Sequence, residues 1–74
     1  MLPAMSDDQL EFALRTVTQA RLLSLGIPAF AIGRWCDAWD AEAERRGLEL
    51  GQPYWEDGIR WILSQVAMGE QPPT

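Results

Sequence analysis

The sequence predicts an all-α fold: a compact three-helix domain over residues 1–69, with helices at about 7–25, 28–46 and 53–68, and a short flexible C-terminal tail at 70–74. Three observations carry this reading. Apolar residues recur at helical spacing through three segments, glycine and proline fall between those segments, and each segment opens on a residue suited to a helix start. No repeat, low-complexity tract or alternating run suggests a strand. Seventy-four residues leave room for one small core.

The first helix opens at Ser6. Its hydroxyl is placed to accept from the Gln9 amide, the Gln9 side chain can reach back to Ser6, and Asp7 and Asp8 stand where the helix dipole favours negative charge. Leu10, Ala13, Leu14, Val17 and Ala20 follow as its inward face, and Gly26 suits the residue just past its end. In the second helix, Pro28 sets φ for the first turn, and Ile32, Trp35, Cys36, Trp39 and Ala43 then recur at i, i+3, i+4, i+7 and i+11. This is the most regular stripe in the chain. Glu42 stands acid-first before Arg45 and Arg46, a spacing worth about 0.2–0.5 kcal/mol per pair on an exposed helix. Gly47 ends the helix, and the short link to Gly51 makes the third helix fold back. Pro53 begins that helix, Trp55, Ile59, Ile62, Leu63 and Val66 form its inward stripe, and Gly69, Pro72 and Pro73 end it.

Eleven acids stand against six arginines, a net charge of −5, and the chain has no His, Lys or Asn. Direct binding to a nucleic-acid backbone is therefore not expected. Without His the chain lacks the usual base near neutral pH, the usual zinc ligand and the centre of a Ser-His-Asp or Cys-His arrangement. Neither catalysis, nor a metal or cofactor, nor a small-molecule substrate is expected. Cys36, the lone cysteine, cannot form an internal disulfide, and on an apolar stripe it reads as a packing residue. The Met1–Asp8 stretch has no positive segment or apolar run of the signal-peptide kind, and no run of eighteen apolar residues is present. A cytoplasmic protein away from membranes is the expectation.

Two surfaces stand out. Trp61, with Tyr54, Gly58 and Met68, forms a second apolar strip on the third helix, and Phe12 and Leu23 lie off the inward stripe of the first, as Phe30 does on the second. Tyr54, Gly58, Trp61, Met68, Phe12 and Leu23 are accordingly the candidate contact residues for a protein partner or a second copy, Gly58 leaving a shallow gap beside Trp61. Asp37, Asp40 and Glu44, at i, i+3 and i+7, form an acidic ridge. Such a run ordinarily solvates a surface; it could also dock a basic partner, but it offers too few converging oxygens for Mg²⁺ or Ca²⁺.

The leading functional reading is a small acidic non-enzymatic protein-interaction module that binds a partner or itself through an aromatic face. A second, from size and charge alone, is an acidic inhibitor of the phage or immunity type that occupies a basic nucleic-acid-binding site on a larger protein. A third is a small helix-turn-helix-like transcriptional regulator, since the second helix, a short turn and the third helix have that form. The third helix argues against it, offering Glu56 and Asp57 with only Arg60 to a groove lined by phosphates.

Overall fold

A computed structural model describes residues 6–49 and 52–72. Three helices follow in order, α1 (Asp7–Ser24), α2 (Ala29–Arg46) and α3 (Gln52–Ala67), with no strand among the described residues. Each helix touches the other two around one core. Residues 70–72 have no regular secondary structure, and the rest of the expected tail, 73–74, lies outside the described residues.

The helix ends form as local chemistry dictates. The Ser6 hydroxyl accepts from the Gln9 amide (3.2 Å), and the Ser6 amide donates to Gln9 Oε1 (2.9 Å), completing a reciprocal capping box. Ser6→Ala should lower the unfolding free energy by about 1 kcal/mol, read as a shift of the urea midpoint at constant slope. An unchanged midpoint would show that the cap contributes nothing. At the other end of α1 the Ile27 amide donates to Leu22 O and the Gly26 amide to Leu23 O, with Gly26 at φ 95°. The same pair of bonds closes α2, from Leu48 to Ala43 O and from Gly47, at φ 72°, to Glu44 O. Positive φ suits glycine, and at the first turn Leu22 and Ile27 are buried together beneath it.

The stripe of α2 forms the centre of the molecule. Ile32, Trp35, Cys36, Trp39 and Ala43 are all buried, with Trp39 at 0% exposure. From α3, Trp55, Ile59 and Ile62 pack against them, Leu63 is partly buried, and Val66 is exposed near the end of the helix.

Helix α1 departs from expectation. Leu10, Val17 and Ala20 are exposed; Leu14 packs on the core as expected, and Arg15, Thr18 and Leu22 complete the inward face with it. This face also carries a cross-helix ion pair. Arg15 turns toward α2, where its guanidinium donates to Asp37 Oδ1 (2.7 Å) and Asp40 Oδ2 (3.0 Å). Leu22, fully buried and tied to Ile27 across the Gly26 turn, anchors this face, and the partly exposed Arg15 contact lies beside it.

Candidate functional site

The aromatic side chains on α2 and α3 form one cluster. Trp39 lies 5.5 Å from Tyr54 and 5.8 Å from Trp61 between ring centroids, while Trp61 meets Trp35 edge-on at 6.1 Å. Tyr54 in turn packs edge-on against Trp55 at 5.2 Å. The Arg46 guanidinium sits 5.5 Å from the Trp39 ring centroid.

This cluster divides the six residues expected at a contact face. Tyr54 is buried, and its hydroxyl donates to Asp40, so it belongs to the core and to a polar tie between α3 and α2. Gly58 is also buried. A Cβ at that position would stand 2.6 Å from Trp39 Cδ1 and Nε1, so the gap expected to admit a partner is filled by the chain's own indole. Both placements correct the sequence reading, and for one reason: α3 crosses α2 at Gly58, which turns the Tyr54 side of the helix inward. Trp61 is half-buried, one side packed on the core and the other reaching the surface. Met68, Phe12 and Leu23 are exposed, at 66%, 74% and 54%.

Trp61 walls an open groove of about 610 Å³ on the outer side of α2. Ala38 and Ala41 also line it, with Arg34 and Asp37 toward one end and Glu42 and Arg45 toward the other. Phe12, Leu23 and Met68 are not among its lining residues, so this groove does not gather the expected contact residues. Arg34, Ala38, Ala41 and Arg45 were missed in the sequence. Their i, i+4, i+7 and i+11 spacing was readable, but two alanines between arginines look like an ordinary solvated face. A smaller crevice of about 130 Å³ lies between α1 and α3, lined in part by Leu14, Val17 and Trp55.

The acidic ridge is interrupted by its own chain. Arg15 pairs with Asp37 and Asp40, Asp40 also accepts from Tyr54, and only Glu44 of the three is without an ion pair among the described residues. Arg60, the single cation of α3, is bound to Asp57 at 2.9 Å.

Two buried protons respond to this packing. Burial pushes the Cys36 thiol up to about 11, Arg15 opposing and the carboxylates of Asp40 and Asp37 adding to the effect. Burial, then the bond to Asp40, likewise raises the Tyr54 phenol. Both groups hold their protons to higher pH in the folded chain than in the unfolded one. The stabilisation from the protonated thiol is therefore complete below about pH 9 and lost toward pH 11, while that from the phenol begins to be lost only above about pH 10, each by up to about 1.4 kcal/mol per pH unit. Urea midpoints collected across that range should decline; a flat profile would contradict the burial of both side chains. At neutral pH the folded thiol should also resist a mild thiol reagent.

Among the described residues no group of three or more Cys, His, Asp or Glu side chains gathers to hold a metal ion, and no helix is long and apolar enough to cross a membrane. Comparison of the chain with protein-family models, with curated proteins and with solved structures finds no match.

Proposed function

We propose that the chain is a non-enzymatic protein-interaction module whose contact surface is the outer face of α2 together with the exposed side of Trp61. The observation that carries the reading is Trp61 itself. Its indole is anchored by Trp35 and Trp39 yet walls an open groove over Ala38 and Ala41, so it presents aromatic area at little further cost in side-chain entropy. The arginines at both ends of the groove supply directional contacts around that apolar patch. An acidic docking ridge is the less favoured reading, because Arg15 already engages two of its three carboxylates.

A photo-crosslinking side chain placed at Ala41, in cells of the source organism, tests the proposal. A discrete protein adduct is expected from position 41, little from a control at Arg60 on α3, and a clear loss of adduct when Trp61→Ala is added. Absence of an adduct at position 41, or an equal one at position 60, would contradict the assignment.

A further inference from the structure

On the side of α2 turned away from the Trp35 and Trp39 stripe, Phe30, Arg34, Asp37, Ala41 and Glu44 recur at i, i+4, i+7, i+11 and i+14. All five are exposed, and Leu48, also exposed, stands just beyond Gly47. In chain order the strip reads apolar, cation, acid, alanine, acid, apolar. Reversed about a point near residue 39, it complements itself: Phe30 falls opposite Leu48, Arg34 opposite Glu44, and Asp37 opposite Ala41.

Charge already satisfied within the chain sharpens the match. Arg15, Arg45, Arg46 and Arg60 each hold a carboxylate of their own chain. Arg34 and Glu44 enter no ion pair among the described residues. Asp37 is held by Arg15, and in the reversed strip it meets an uncharged methyl group. At 75%, Phe30 is highly exposed for so large an apolar side chain. We infer that this strip docks antiparallel on the same strip of a second copy of the chain, making an isologous dimer in which Arg34 of each copy pairs with Glu44 of the other.

A two-fold axis supplies each contact twice. A parallel arrangement would set Arg34 against Arg34 and Glu44 against Glu44, which selects the antiparallel one. Because Arg34, Asp37 and Ala41 also line the groove beside Trp61, the second copy covers the surface assigned above. The inference rests on that assignment and names its occupant.

Sedimentation equilibrium tests it with the intact chain, Arg34→Glu, Glu44→Arg, the double variant, and an equimolar mixture of the two single variants, each checked for helicity by circular dichroism. The unsubstituted chain should dimerise. Each single reversal should weaken the dimer at least about tenfold, because two attractive contacts become repulsive. The double variant should regain the dimer, and so should the mixture, since in the mixed pair both contacts again join opposite charges. A chain that stays monomeric up to about millimolar concentration, a dimer indifferent to the reversals, or a mixture that fails to recover would each overturn the inference. The mass of the adduct formed from position 41 separates the two levels of the reading. Capture of a different protein by a monomeric chain removes self-docking and leaves the interaction surface in place, whereas no adduct of any mass removes both.

Discussion

Trp39→Ala should take away most of the stability of the domain. The side chain is completely buried and packs against Tyr54, Trp61 and the backbone of Gly58. Its Nε1 has no acceptor among the described residues, so packing is what the ring supplies. Truncating such an aromatic costs about 3–5 kcal/mol. A domain of this length is held by only about 4–11 kcal/mol, by the usual per-residue scale. Thermal melting followed by circular dichroism should show either an unfolded chain at room temperature or a midpoint lowered by tens of degrees. A cooperative transition near the original midpoint would take Trp39 out of the centre of the core.

Gly58→Ala is the second large effect, and its sign runs against helix propensity. In an exposed helix interior the change stabilises by up to about 1 kcal/mol. At position 58 the added methyl would meet two atoms of the Trp39 ring at 2.6 Å and a third at 3.0 Å. Tyr54 and Trp61 flank that ring, so it has little room to withdraw. A net loss of about 1–3 kcal/mol is expected from overpacking. Gly33 provides the internal comparison. It lies within α2, and a methyl there would meet nothing within 4 Å, so Gly33→Ala should stabilise by about 0.5–1 kcal/mol. Urea denaturation of the two variants should place them on opposite sides of the unsubstituted chain; the reverse order would contradict the packing of α2 on α3.

How much of this was legible in the sequence depended on whether one segment sufficed to decide it. The Ser6 cap, the Gly26 and Gly47 stops and the Trp39 stripe were readable, because residues within a turn or two of each other fix them. The inward face of α1 was not. Apolar residues at 10, 12, 13, 14, 17, 20, 22 and 23 surround most of that helix, and which of them pack is settled by contacts with α2 and α3, among them those of Leu14 and Leu22 with the core and of Arg15 with acids 22 and 25 positions later. Gly58 was visible as a gap, but only the crossing of α3 over α2 reveals that Trp39 fills it. For the same reason Tyr54 looked like surplus surface until its hydroxyl found Asp40. Trp61 is the intermediate case, since its helical position set it apart from the inward stripe while its neighbours on α2 could not be read from α3 alone.

That intermediate position is what the functional account depends on, and melting of Trp61→Ala beside Trp39→Ala measures it most directly. A half-buried ring held by two edge and tilted aromatic contacts should cost about 1–2 kcal/mol when removed. Trp61→Ala should therefore remain folded with a cooperative transition, its midpoint well above that of Trp39→Ala. If Trp61→Ala collapses as completely as Trp39→Ala, the ring belongs to the core, and the face assigned to partners loses its anchor.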